Sequence, residues 1–271
     1  MSHILRLLRT SRSSNPLHTL RSSRPIHSKT TNYFSPSHAP FPRPPPTRLS
    51  RRFHTSFDAL AANQKANCNV LYSLMGVNVA VFGYAMYAKA QAQSGFPQLL
   101  LKHMHNWTLN YTHVIHNGMY WTLLTSAFSH IQIWHLTANM LTTYYLGQFL
   151  CSAAIITPAR LLTIAIGSGV TGSLGFLYQR YLVTGGKGVD YASGLGFSGV
   201  VMGITSVAAC LTPTAKVAIY GIIPVPLWGV VLGYAVYDGY YLNTNDRTAH
   251  AGHLGGLVFG IAYYLLKLRG L

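Results

Sequence analysis

Long apolar stretches alternate with short polar segments along most of the chain. A stretch that crosses a bilayer as a helix needs ~20 residues. Six stretches meet this length, at 69–88, 131–152, 160–181, 192–211, 216–236 and 249–267. The pattern therefore predicts an all-α membrane protein with six transmembrane helices, forming one domain over residues 61–271.

Two parts of this pattern depart from simple spans. The fifth stretch contains Pro224 and Pro226, which predicts a kink or local unwinding there, because proline removes a helical hydrogen bond. The first loop, residues 89–130, is rich in Trp, Tyr and His and poor in charge. This composition is typical of a segment that lies in the membrane interface.

The first sixty residues have a different character. They hold half of the 20 lysines and arginines of the chain, many serines, and no acid before Asp58. This composition predicts a mitochondrial transit peptide, with an amphipathic helix over 1–12 and a disordered linker around Pro40–Pro46, in residues 1–60. Arg52-Phe53-His54-Thr55-Ser56 resembles a two-step processing site, so the mature chain is expected to begin near Ala61. A generic basic tail is the alternative.

Composition narrows the function further. Only 9% of the residues are charged, against about 25% in soluble domains. The net charge of +16 belongs largely to the N-terminal tail, so nucleic-acid binding is not indicated. The chain has no glutamate and four aspartates, which excludes an HExxH metalloprotease. We expect no metal and no cofactor.

Polar residues inside the predicted spans share one depth. Six spans place both termini on one side, so the second, fourth and sixth spans all start from the opposite face. His135 and Asn139 lie in the first turns of the second span, Ser198 about six residues into the fourth, and His253 about four residues into the sixth. At 1.5 Å rise per residue, Ser198 and His253 lie roughly 6–10 Å below the same surface.

A nucleophile and its base are predicted from this clustering. Gly199 and Gly203 form a small-residue ridge beside Ser198, and a second ridge, Gly252-Gly256-Gly260, follows the face that carries His253. Two such ridges allow close helix contact in lipid. The Ser198 hydroxyl could then give its proton to a neutral His253 imidazole. A serine bonded to its own backbone and a packing histidine are the alternatives.

Oxyanion donors are predicted beside this pair. His135 and Asn139 are four residues apart and share a helix face. Their side chains, with backbone N–H groups at Ser198 and Gly199, could stabilise the charge of a tetrahedral intermediate. A buried polar pair between helices is the alternative.

Three segments together resemble the signature blocks of the rhomboid intramembrane serine proteases. They are Ser129–Met140 (SHIQIWHLTANM), Gly196–Gly199 (GFSG) and Gly252–Gly256 (GHLGG). The resemblance covers residues 69–267 and implies a six-helix rhomboid bundle. It also implies a Ser198–His253 dyad that needs no acid, with His135 and Asn139 assisting the oxyanion. With the transit peptide, the chain resembles a mitochondrial member of the family.

The resemblance implies partners and also has departures. It implies single-span membrane proteins as substrates in the mitochondrial inner membrane, including a dynamin-like GTPase in fungi, and entry between the second and fifth spans, beside Pro224 and Pro226. Many members have Trp-Arg in the first loop, where this chain has Trp121-Thr122, and bacterial members often have an aromatic residue at Met202. Mitochondrial members commonly have a further helix before the core, and no such helix is predicted here.

Three other functions were weighed against proteolysis by Ser198. A catalytically inactive rhomboid-like protein would bind transmembrane helices without cutting them. A small channel or transporter would place polar residues along a path through the bilayer. An aspartyl protease would need a partner for Tyr237-Asp238, and the sequence has no GxGD motif.

Overall fold

A computed structural model describes residues 48–219, 221–242, 244 and 248–270, with side chains from Ser56 onward. The predicted amphipathic helix at 1–12 and the Pro40–Pro46 linker lie outside this part of the chain. Helix α1 spans Arg48–Gln93, so it crosses the predicted boundary at residue 60, and that boundary stays a prediction.

The first loop is built from short elements. They are α2 (Gln98–Trp107), β1 (Leu109–Asn110), α3 (Tyr111–Asn117), α4 (Thr122–Thr125) and a 3₁₀ turn at Ser126–Phe128. The rest of the chain forms α5 (Ile133–Ser152), α6 (Pro158–Thr184), β2 (Ser193–Gly194), α7 (Ser198–Leu211), β3 (Lys216–Ile219), β4 (Ile223–Pro226), α8 (Leu227–Tyr240) and α9 (His250–Tyr263), which ends in a π turn at Tyr264–Leu268.

Most of the predicted spans coincide with these helices. The second, third and sixth spans match α5, α6 and α9 with its π turn, and the first lies inside the longer α1. Three of the described helical segments are long and apolar enough to cross a membrane: Ser56–Gln93, Pro158–Thr184 and His250–Leu268. The apolar α7 is shorter.

The predicted start of the fourth span is wrong. Residues 192–197 are not helical, and α7 begins at Ser198 itself. Gly196 has a φ of +123°, a conformation that an α-helix does not allow and that glycine adopts without strain. Ser198 therefore lies at a helix N-terminus rather than within a helix.

The predicted fifth span is also wrong over its first half. Strands β3 (Lys216–Ile219) and β4 (Ile223–Pro226) form an antiparallel pair, in which Ala218 is opposite Pro224 and Lys216 is opposite Pro226. Prolines at these two places exclude helix, because each lacks the N–H and clashes with the preceding turn. Helix α8 begins only at Leu227, so Pro224 and Pro226 precede the helix instead of kinking it.

Helices α6, α7 and α9 form the tightly packed centre of the bundle. A Cβ added to Gly256 would overlap the carbonyl oxygen of Gly199, and one added to Gly260 would lie 2.5 Å from that of Gly203. The predicted ridges on α7 and α9 thus meet. Gly252, the third member of the α9 ridge, also lies against Gly172 of α6.

Candidate active site

Ser198 is the first residue of α7, and the backbone N–H groups at this end of the helix can bind an anion. The first helical hydrogen bond of α7 runs from the N–H of Val201 to the carbonyl of Phe197, at 3.0 Å. The N–H groups of Ser198 and Gly199 come before it, where a helix has no carbonyl of its own to offer them. The helix dipole also places partial positive charge at this end.

His253 is the fourth residue of α9, as predicted, and its imidazole faces Ser198. Its Nε2 lies 2.8 Å from the Ser198 Oγ. The imidazole is mostly buried, with 15% of its surface exposed. This distance is a hydrogen bond, so the structure brings the two predicted residues of the dyad together across the α7–α9 contact.

Asp238, on α8, is a member of this site that the sequence reasoning missed. Its Oδ1 lies 3.0 Å from His253 Nδ1 and 2.6 Å from His250 Nδ1. His250 is buried, with 1% of its surface exposed. Asp238 lies near the end of the fifth span, whereas the predicted residues lie near the starts of spans. Because the fifth span ends at the face where the sixth begins, Asp238 shares the depth of His253, and this depth is the sequence signal that points to it.

The same three residues could hold a metal ion. Asp238, His250 and His253 each offer one ligand atom, and these atoms lie within 4.8 Å of one another. Imidazole nitrogen and carboxylate oxygen are donors that zinc accepts. The two hydrogen bonds already account for the spacing of these atoms, so the geometry does not require an ion.

His135 and Asn139 lie near Ser198 in different ways. The His135 ring packs on Gly196, where a Cβ would lie 2.8 Å from its Nε2. The Asn139 amide nitrogen is 3.0 Å from both His130 Nε2 and the backbone oxygen of His135. In the described part of the chain, the Asn139 side chain bonds to His130 and to the backbone of His135, and not to Ser198.

His130, which precedes α5, is completely buried. Its Nε2 accepts a bond of 3.3 Å from the N–H of Phe197, the residue before Ser198. Burial, together with the nearby charge of His135, lowers the pKa of His130 to about 4. It is therefore neutral near pH 7 and able to accept, which ties the start of α5 to the start of α7.

The first loop is fastened to the segment before Ser198. Leu109 and Asn110 of β1 pair with Gly194 and Ser193 of β2. The Asn110 side chain also donates to the carbonyls of Asp190 and Ala192, at 2.8 and 2.9 Å. These bonds hold the two loops together beside the site.

An ion pair supports the same segment. Arg180 makes two bonds of 2.8 Å to the Asp190 carboxylate. Burial works to raise the pKa of Asp190, but the bonds from Arg180 and the Ala192 N–H hold it below its usual value. Thr122, which stands where many rhomboids have arginine, is buried and donates to the Met119 carbonyl at 2.7 Å, so it closes its own turn.

A pocket opens beside the Ser198–His253 pair. Its lining comes from the first loop, α6, the segment before α7, and α9, and includes Leu109, Ser126, Phe176, Leu195 and Ala249. An extended peptide segment could reach the Ser198 hydroxyl there. Pro224 and Pro226 belong to β4 and are not part of this lining.

Comparison with known proteins identifies the fold. The family model of the rhomboid domain matches residues 117–270. Rhomboid protein 1, mitochondrial, of Saccharomyces cerevisiae is 30% identical over 199 residues, which cover 72% of this chain and 52% of that protein. RHOMBOID-like protein 12, mitochondrial, of Arabidopsis thaliana is 32% identical over 152 residues, covering 52% and 44%.

A human relative gives the same result. Presenilin-associated rhomboid-like protein, mitochondrial, of Homo sapiens is 28% identical over 156 residues, which cover 52% of this chain and 36% of that protein. The chain thus matches about half or less of the length of these relatives. The matched rhomboid domain and the mitochondrial relatives agree with the helical bundle seen in the structure. The chain belongs to the rhomboid family, as a mitochondrial-type member.

Proposed function

We propose that this protein is an intramembrane serine endopeptidase that cuts transmembrane segments with Ser198 as nucleophile and His253 as base. The observation that carries the proposal is the 2.8 Å bond between Ser198 Oγ and His253 Nε2. As Ser198 attacks the peptide carbonyl, His253 takes its proton at Nε2. His253 then returns that proton to the leaving amine as the C–N bond breaks.

Water completes the reaction by hydrolysing the acyl-enzyme, with His253 again as base. The oxyanion of both tetrahedral intermediates lies at the N-terminus of α7, within reach of the N–H groups of Ser198 and Gly199. His135, which packs on Gly196, assists there. Asn139 acts by holding His130 and the start of α5 in place.

Helix lengths support a site that lies within a membrane. We place six spans in the mitochondrial inner membrane, with the Ser198–His253 pair below the surface. Helix α7 has 14 residues, or about 21 Å, which is shorter than the ~30 Å hydrocarbon core. The non-helical segment 193–197 makes up the difference, and it is tolerated at that depth because Gly194, Leu195 and Gly196 line the pocket beside Ser198.

Single-span membrane proteins are the proposed substrates, including a dynamin-like GTPase of the kind implied by the family. A transmembrane helix hides its carbonyls in its own hydrogen bonds. It must therefore unwind locally before Ser198 can reach a peptide bond. We place the entrance beside α5 and α8, with the hairpin that contains Pro224 and Pro226 at its edge.

A fluorophosphonate probe on the purified protein in lipid vesicles tests the proposal without knowledge of the substrate. We expect labelling of the wild type at Ser198, and loss of at least 100-fold in Ser198→Ala and His253→Ala, because both partners of the proton transfer are needed. Peptide mapping identifies the labelled residue.

Ser206→Ala is the matched control. Ser206 lies two turns along the same helix and donates to the Gly203 carbonyl at 3.0 Å, so its loss should leave labelling intact. A folded wild type that fails to react, or labelling that survives Ser198→Ala, would instead support a rhomboid-like protein that binds helices without cutting them.

A further inference from the structure

Asp238 is a buried carboxylate in a helix that otherwise exposes much of its surface. Its side chain is 2% exposed, whereas Val236 and Tyr240 on the same helix are 63% and 79% exposed. A buried carboxylate is costly unless hydrogen bonds compensate it. Here two imidazoles do so, and both reach the same oxygen.

We infer that Asp238 is a positioning residue for His253, in a Ser198–His253–Asp238 chain of hydrogen bonds. The inference rests on the proposed protease function and goes beyond the acid-free dyad that the family resemblance implies. An ionised carboxylate can only accept hydrogen bonds. The ring nitrogen that faces it, His253 Nδ1 at 3.0 Å, must therefore carry the proton.

This choice of tautomer has a direct chemical consequence. With the proton on Nδ1, Nε2 of the neutral ring has a free lone pair, and Nε2 is the atom 2.8 Å from the Ser198 hydroxyl. The opposite tautomer would present an N–H to Ser198 and could not take its proton. Asp238 also faces the imidazolium that forms when His253 holds that proton, and its negative charge stabilises this ion.

His250 gives the carboxylate a second donor. Its Nδ1 is 2.6 Å from the same oxygen, Oδ1, and both side chains are almost completely buried. A purely structural role for Asp238 needs only this bond between α8 and α9, whereas a positioning role also needs the bond from His253 to Oδ1. The two roles therefore differ in what they predict for the reactivity of Ser198.

The rate of fluorophosphonate labelling of Ser198 separates the two roles. Asp238→Asn preserves size and can still accept from His250 through its Oδ1, but its amide can also donate to His253 and favour the wrong tautomer. We expect the maximal labelling rate to fall at least 30-fold, with the half-saturating probe concentration changed less than twofold. The unfolding midpoint reports on structure in the same samples.

Tyr240→Phe is the control, since Tyr240 is 79% exposed on the same helix and the substitution is equally small. It should label at the wild-type rate. A folded Asp238→Asn protein that labels within threefold of the wild type would overturn the inference.

A second measurement does not depend on the variant being folded. Nitrogen-15 NMR of histidine-labelled wild-type protein, with His253 assigned through His253→Asn, reports which ring nitrogen carries the proton. We expect Nδ1 to be protonated and Nε2 not. The reverse assignment would overturn the inference even if Asp238→Asn is inactive.

Failure of this inference can be told from failure of the proposed function. If Ser198 of the wild type does not react, the protease proposal fails whatever Asp238 does. If Ser198 reacts and depends on His253, but Asp238→Asn reacts at the wild-type rate, the protease proposal stands as a dyad and only the role of Asp238 falls.

Discussion

Helix α9 contacts two of its neighbours, α7 and α8, in opposite ways. Against α7 it places glycine on glycine, so that Gly256 and Gly260 touch the backbone at Gly199 and Gly203. Against α8, two histidines of α9 donate hydrogen bonds to one carboxylate, that of Asp238. One contact is made by backbones and the other by a carboxylate.

The α7–α9 contact sets the distance between Ser198 and His253, whereas the α8–α9 contact acts on His253 through a side chain. Backbone-to-backbone contact has no side chain that can move aside, so the distance between Ser198 and His253 is set by the two helices. Helix α8 has only Leu227 and Asp238 buried among its described residues. Its influence on the site therefore passes through Asp238 rather than through packing.

The largest effect is expected where the two glycine ridges meet. In Gly256→Val, the added side chain would overlap the Gly199 carbonyl and force α7 and α9 apart. We expect a loss of stability of about 3 kcal/mol and at least a 100-fold loss of Ser198 labelling. Gly233→Val in α8 is the matched control, because nothing lies within 4 Å of its Cβ position. Equal effects of the two substitutions would contradict the comparison.

A smaller loss of stability is expected when the ion pair that supports the segment before Ser198 is removed. Asp190→Asn should lower stability at pH 7 by about 1–3 kcal/mol, since it removes the charged partner of Arg180. The folded pKa of Asp190 lies below the unfolded value of about 3.8. Its contribution is therefore present above pH 3.8 and lost as the pH falls through the folded pKa.

Thermal unfolding at pH 7 and at pH 3 tests this sign. The difference between wild type and Asp190→Asn should shrink at the lower pH, whereas Tyr240→Phe, a change at an exposed residue of α8, should match the wild type at both. A difference that grows on acidification would show that the carboxylate does not stabilise the fold through Arg180.

The hairpin before α8 should affect substrate entry more than chemistry. Pro224→Ala adds an N–H that can join the β3–β4 pairing, where residue 224 is opposite Ala218. We expect a change in stability of less than about 1 kcal/mol, unchanged probe labelling, and cleavage of a single-span substrate in vesicles slowed two- to fivefold. Equal cleavage rates of the wild type and Pro224→Ala would show that Pro224 does not contribute to substrate entry.

The smallest effect is expected from removal of metal ions. The donor atoms of Asp238, His250 and His253 are engaged in hydrogen bonds with one another. Treatment with a chelator should therefore change Ser198 labelling less than twofold. A tenfold loss that added zinc restores would show that these residues hold an ion.

The candidate site was predictable where its signals are local in sequence. Ser198 lies between glycines, and His253 lies on a glycine ridge near the start of a span, so spacing alone indicated which helix faces would meet. The oxyanion prediction was less complete. Asn139 was expected to donate toward Ser198, and its amide instead bonds to His130 and to the backbone of His135.

Errors arose where hydropathy does not distinguish helix from other backbone. The segment 192–197 and the hairpin at 216–226 are apolar enough to extend a span. Their conformation depends on the φ of Gly196 and on the two prolines. The presence of prolines suggested a kink, but only pairing between strands, a contact distant along the chain, makes a hairpin.

By itself the sequence predicted a helical membrane bundle and a contact between Ser198 and His253, because apolar length, helical period and glycine spacing are properties of short segments. The resemblance of three such segments to signature blocks indicated the rhomboid family. Only the tertiary structure decided that Ser198 begins a helix and that Asp238 stands behind His253. Those facts depend on where α7 starts and on how α8 is turned against α9. Packing between distant segments sets both, and no local pattern encodes it.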